Sequence, residues 1–227
     1  GARPSTPSRG GSLPGRPRRA PERAGAPLVR RRVEEFQIDC DLTWGYCDLA
    51  NKPAHMDDFA ADKAELESLG YRHELRLLPK ERIHEVVGSD NYHGAMIDMG
   101  SGHLHPLNLC LGEARAAESL GALIFEHSEV LDIVHGPRPA VVTTGGRIEA
   151  KQVLLAGDVY HKLERRRLKG MIFPAMGGIV TTAPLGAELI EAINPHDLAV
   201  YDCRFVLDYY RLTGDGRLFG DMRRIMR

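Results

Sequence analysis

The stretch Gln152–Tyr160, QVLLAGDVY, constrains the fold of this chain more than any other. Val153, Leu154 and Leu155 form a short continuous apolar run, and Ala156 and Gly157 follow with almost no side chain. Such a run, bounded by small residues, predicts a buried strand feeding a sharp turn. Small residues at a strand's carboxyl end let a ligand approach the backbone. Open α/β sheets bind ligands at that end. A core strand with a tight exit fits the same residues equally simply.

What precedes the stretch predicts its surroundings. Pro106 opens a helix over LNLCLGEARAAESLGA, with Leu107, Cys110, Leu111, Ala114 and Ala117 on one apolar stripe and Gly121 at its end. Cys110 on that stripe reads as a small buried hydrophobe rather than a nucleophile. Strand-like runs follow at 122–126, 129–134, 139–144 and 147–150, the last two joined by Gly145-Gly146, a hairpin signal. A helix, a small meander and a return into a buried strand make an α/β layout of mixed α+β character.

The flanking regions extend this pattern. Ile38–Tyr46 reads as a strand holding the only Trp, Trp44, and HMDDFAADKAELESLGY reads as a helix stopped by Gly70. HELRLL is a short strand and PKERIHEVVG a short helix. Ser89–Met99 gives a loop and a strand, and GSGHLHP a loop. HKLERRRLKG (161–170) reads as a solvated helix face. GMIFPAMGGIVTTAPLG reads as extended, AELIEAINP as a helix, and VLDYYRLT with RLFG as a hairpin about Gly-Asp-Gly.

Charge is unevenly placed. Residues 1–32 carry nine Arg and one acid, Glu22, which leaves 21 basic against 30 acidic residues in the remainder. An acidic body argues against a nucleic-acid surface there. Residues 1–29 are rich in Gly, Pro, Arg, Ser and Ala without helix or strand period, a composition that does not bury enough apolar surface to fold. A basic nucleic-acid-binding arm, a transit peptide and non-native coding text are the alternatives to plain disorder. Cys40, Cys47, Cys110 and Cys203 are far apart without a CxxC pair, which points to reduced cytoplasmic thiols. No run of about 18 apolar residues is present, so no membrane-spanning helix is expected. His103 and His105 form HxH, a possible metal pair, but no third ligand has a recognisable spacing, so no metal is expected.

Five segments in collinear order carry a resemblance: IDCDLTWGYCDLANKP, SGHLHPLNL, GALIFEHSEVLDI, VVTTGGRIEAKQVLLAGDVY and DYYRLTGDGRLFG. Together they resemble the D-amino-acid-oxidase-like family of FAD-dependent oxidoreductases, and within it the amine oxidases, over roughly residues 30–220. The resemblance implies an FAD-binding layer interleaved with a mixed-sheet substrate domain. It divides the chain into a tail (1–29), a substrate-domain part (30–100), an FAD-binding part (101–160) and a second substrate-domain part (161–227). The family's strand–GxGxxG–helix has no counterpart in the sequence. The expectation is therefore an incomplete FAD-binding layer, in a partial chain inactive on its own.

By resemblance, the backbone of Val130 contacts the adenine, and Ala156 and Gly157 form the small-residue turn near the adenosine or phosphates. A core valine is the alternative for Val130. Tyr209, Tyr210 and Arg211 lie on the hairpin that faces the substrate. Strand alternation puts Tyr209 and Arg211 on one face and Tyr210 on the other. Arg211 suits a carboxylate and Tyr209 can flank an amine, while a cross-strand pair on a solvated sheet is the plainer reading. The implied reaction oxidises a small-molecule amine, glutamylputrescine-like or amino-acid-like. A hydride passes to the flavin, the imine hydrolyses to an aldehyde, and oxygen reoxidises the flavin. It demands no general base, and no catalytic residue is assigned.

Overall fold

A computed structural model of the chain describes residues 25–158, 163, 171, 177–204 and 208–221. In chain order these form α1 (Gly25–Glu35), β1 (Thr43–Leu49), α2 (Pro53–Ser68), β2 (Leu75–Pro79), a 3-10 helix (Lys80–Glu85) and β3 (Gly94–His103). Then come α3 (Pro106–Ser119), β4 (Val130–Val134), β5 (Ala140–Thr143), β6 (Gly146–Glu149), β7 (Val180–Thr181), α4 (Ala187–Ile193), β8 (Ala199–Asp202), β9 (Tyr209–Leu212) and β10 (Leu218–Asp221).

Two sheets result. The larger has the order β2-β3-β1-β8-β9-β10-β7, and the smaller β4-β5-β6. Only the β1–β8 pairing is parallel among the described ones, so the large sheet is mixed. β1 and β8 lie about 150 residues apart in the chain yet share four register pairs, from Tyr46↔Ala199 to Leu49↔Asp202. Early and late segments therefore build one sheet, as the mixed α/β expectation requires.

Alternation along the strands sorts the faces of this sheet. On one face Cys47, Leu49, Ile97 and Val200 pack with Leu78, Ile83, Val86 and Val87, joined by the ring of Tyr210. Leu212 and Leu218 continue that packing against Leu185, Ile190 and Ile193 around α4. On the other face α2 lays Phe59 over Ala50 and Met96. Beyond β1, that second face is open across β8, β9 and β10.

Gly45 makes the bend in β1. The ladder to β3 shifts register between Trp44 and Tyr46, and Gly45 sits there at φ 124, with a Cβ placed only 2.5 Å from Leu198. A bulge glycine of this kind re-aims the strand, and it turns Tyr46 onto the open face.

Several expectations are corrected. β3 runs on to His103, where a loop from Gly100 was expected. Residues 122–126 form no strand, and Leu123 and Phe125 are exposed. Residues 152–157 are extended without ladder bonds, and Leu154 is 89 % exposed rather than buried. An apolar run becomes a buried strand only where a neighbour pairs with it, and among the described residues none does. The expected stripe on α3 faces outward, with Leu107, Cys110 and Leu111 exposed. The buried residues of α3 are instead Gly112 and Ala116. A Cβ on Gly112 would lie 2.2 Å from Ile38, so small residues, not the leucines, let α3 come close. α1 begins at Gly25, inside the expected tail. The rest of that tail and nearly all of the basic stretch 161–170 lie outside the described residues.

Candidate functional site

The open face of the large sheet holds a cavity of about 510 Å³ lined by Tyr46, Tyr201, Tyr209, Arg211 and Phe219, with Ala199 at its floor. That size suits a small ligand. Register explains the grouping. Tyr201 is paired with Tyr209, and Phe219 with Arg211, so all four side chains emerge on the same side as Tyr46. Tyr210, one residue out of phase, also borders the cavity, but its ring is packed in the core on the opposite face.

Aromatic surface dominates. The Tyr46 and Tyr201 rings lie 5.1 Å apart at 33°. The Arg211 guanidinium sits 5.1 Å from the Phe219 ring centre, and its Nη1 donates to the Leu212 carbonyl at 2.8 Å. Stacking and this hydrogen bond hold one charged group against a largely apolar wall. Burial lowers the Arg211 pKa, and the Asp197 and Asp41 carboxylates oppose that shift. Burial raises the Tyr201 hydroxyl, helped by Cys203. Burial raises the Tyr210 hydroxyl further, with Tyr92 and Cys47 adding to it.

Beside the aromatic wall, β1 carries a second unusual group. Asp48 is 7 % exposed, and its Oδ1 has no hydrogen-bond partner. Burial, then the Asp98 and Asp62 carboxylates, push its pKa up to about 7. Asp98 itself is well bonded, accepting from the Tyr71 hydroxyl at 2.7 Å, the Gly100 amide and the Ser101 hydroxyl.

The other expected site residues fall elsewhere. Val130 starts β4 in the small sheet, half-buried, where the ladder to β5 shifts register before Asp132. Ala156 and Gly157 are exposed in the extended segment. None of the three lines the cavity. The HxH residues are drawn apart by different roles. His105 caps α3, its Nδ1 accepting from the Asn108 amide at 3.2 Å, and His103 donates from Nε2 to the Asp197 carbonyl at 2.7 Å. Tyr46, Tyr201 and Phe219 were not singled out from the sequence. Their signal was parity with Tyr209 and Arg211, visible only once strand order and register are known.

Comparison with known proteins places this arrangement. The family described as "DAO: FAD dependent oxidoreductase" matches residues 10–224. Gamma-glutamylputrescine oxidoreductase of Escherichia coli (strain K12) is 37 % identical over 196 residues, which are 86 % of this chain and 46 % of that protein. A probable oxidoreductase, OrdL, of Haemophilus influenzae is 36 % identical over 88 % of this chain and 49 % of its own length. The chain thus spans about half the length of the curated relatives it matches. Among solved structures, L-proline dehydrogenase from P. horikoshii superposes with a TM-score of 0.65 at 19 % identity. That match covers 86 % of this chain and 52 % of the other.

Proposed function

The chain belongs to the DAO family of FAD-dependent oxidoreductases, and from that premise we propose that its open aromatic face is the substrate side of an amine oxidoreductase. The single observation that carries the proposal is the convergence of Tyr46, Tyr201, Tyr209, Phe219 and Arg211 on one cavity of the large sheet. The substrate class we propose is a primary or secondary amine on a carboxylate-bearing or glutamyl-like chain, as the name of the Escherichia coli relative suggests.

Each side chain has a task. The aromatic walls exclude water and pack the alkyl chain of the amine. Low polarity beside the Tyr46–Tyr201 pair favours the neutral amine over the ammonium, and the neutral amine is the oxidisable form. Arg211, fixed by Phe219 and the Leu212 carbonyl, holds an anionic group of the substrate and so sets which carbon lies at the reacting end. When bound, the flavin supplies the two-electron acceptor that turns the amine into an imine, which water hydrolyses to an aldehyde while oxygen restores the acceptor.

The residues present suit the cofactor at its adenosine end. Val130 opens its strand beside a register shift, and Ala156-Gly157 is an exposed stretch of nearly bare backbone. Holding the pyrophosphate falls to no GxGxxG in these residues. The exposed, unpaired state of residues 152–157 supports a second reading, in which the 227-residue chain by itself does not retain flavin.

One experiment separates these. The chain is incubated with FAD, stripped of free cofactor, and mixed without oxygen with γ-glutamylputrescine. Retained flavin absorption that bleaches with the amine and returns with air supports the oxidase reading. Retained flavin that the amine leaves unbleached overturns it. Colourless protein supports the second reading for the isolated chain.

A further inference from the structure

One end of the cavity brings together opposite charges that the proposed chemistry does not use. Arg211 lies on β9, paired beside β8, and Asp197 lies two residues before Ala199 on the approach to β8. Asp197 is held there firmly. The fully buried Asn194 clamps the turn, its Nδ2 donating to the Leu198 carbonyl at 2.8 Å and its Oδ1 accepting from the Leu198 amide at 3.0 Å. The Asp197 amide donates to the Asn194 carbonyl at 3.2 Å, and Asp197 takes a left-handed backbone at φ 49. His103, whose side chain is 7 % exposed, donates from Nε2 to the Asp197 carbonyl at 2.7 Å and lies 3.5 Å from its Oδ1.

The two carboxylate oxygens of Asp197 therefore differ. Oδ1 is buried and lacks a hydrogen-bond partner, yet 45 % of the side chain is exposed, so the rest of the carboxylate opens outward. Asp41, which packs against Gly214 from the loop before β1, adds a second carboxylate whose field reaches both Arg211 and Asp197. A bare anion arriving at Arg211 meets two carboxylates, and a bare cation meets the guanidinium. A zwitterion satisfies both signs at once.

We infer that this end of the site reads an α-amino-acid head group, with Arg211 taking its carboxylate, Asp197 its ammonium, and His103 positioning Asp197. The inference rests on the open face being the substrate side, and it adds Asp197 and His103 as specificity residues remote from the reacting amine. Asp197→Asn is a mild change at this backbone, because Asn tolerates the left-handed region. It removes the charge and keeps the shape.

The test is calorimetric binding to the full 227-residue chain of three probes: L-glutamine, glutaramic acid (glutamine without its amino group) and γ-aminobutyramide (glutamine without its carboxyl). The expected wild-type result is L-glutamine tighter than either analogue by about tenfold. Asp197→Asn loses the preference over glutaramic acid and keeps the preference over γ-aminobutyramide. Arg211→Gln does the reverse. His103→Gln, which keeps a donor, preserves the wild-type order, whereas His103→Phe, which keeps the bulk alone, loses part of the ammonium preference. A general loss of structure weakens all three probes together and leaves their ratios unchanged. Unchanged ratios in Asp197→Asn, or no wild-type preference for the zwitterion, overturn the inference. Because no flavin is needed, a protein that binds in the expected order but fails to oxidise amines refutes the oxidase reading alone.

Discussion

The two sheets of this molecule solve the same problem differently. The seven-stranded sheet contains its own core: Leu49, Leu78, Val86, Val87 and Ala95 are fully buried, and helices cover much of both faces. The three-stranded sheet buries Ala140 and leaves Leu131 and Ile148 more than half exposed, next in sequence to the exposed Leu120, Leu123, Phe125 and Leu154. Both regions are written in ordinary apolar and β-branched residues. What differs is whether a second layer packs on them. The large sheet is consequently rigid enough to present a row of tyrosines at fixed spacing, while the small sheet contributes backbone more than enclosure.

The contrast is sharpest in stability. Leu49→Ala is expected to cost about 2–5 kcal/mol, because it opens a hole in a filled core. Ile148→Ala and Leu154→Asp are expected to change stability by only about 0.5 kcal/mol, the usual range for exposed positions. Denaturant titration of the three variants measures this, and a large loss for Leu154→Asp would break the distinction.

Asp48 sharpens it electrostatically. Its folded pKa of about 7 lies above the ordinary carboxyl value of 3.8, so the folded chain binds the extra proton between those pH values. Stability attributable to this group is therefore greatest below pH ~4 and declines as pH rises towards 7. Asp48→Asn should stabilise the chain by roughly 2–4 kcal/mol at pH 8 and by little near pH 4. Thermal unfolding at both pH values checks the sign, and equal effects at the two would remove the buried, unpartnered carboxyl from the picture.

Amide hydrogen exchange gives the smallest and most local contrast. β1 and β3, central in the large sheet, should protect their amides longest. β4–β6 should exchange sooner, since few buried contacts oppose their opening. Similar protection in both sheets would contradict the difference.

Much of the large sheet was legible in the sequence. Pro53 and Gly70 bracket α2, Pro106 and Gly121 bracket α3, and Gly-Asp-Gly turns β9 into β10, because these residues act through local backbone geometry. The phase of Tyr209, Tyr210 and Arg211 was legible for the same reason. Misjudged features were those decided by distant neighbours. Val153–Leu155 has the composition of a buried strand and lies exposed, and the leucines of α3 face out because Gly112 and Ala116 make the close contact. Tyr46 and Tyr201 join the site only through a parallel pairing of strands about 150 residues apart, which no local pattern encodes. Asp197 was missed because a single Asp in a turn looks like any other until His103 and Arg211 are placed beside it.

The most direct measurement is an NMR titration of the chain, labelled in its tyrosine rings and arginine guanidinium groups, with γ-glutamylputrescine. The predicted result is shifts at Tyr46, Tyr201, Tyr209 and Arg211, which line the open face, and little at Tyr92, packed on the opposite one. Shifts confined to Tyr92, or none at the open-face residues, would contradict the assignment of that face to substrate.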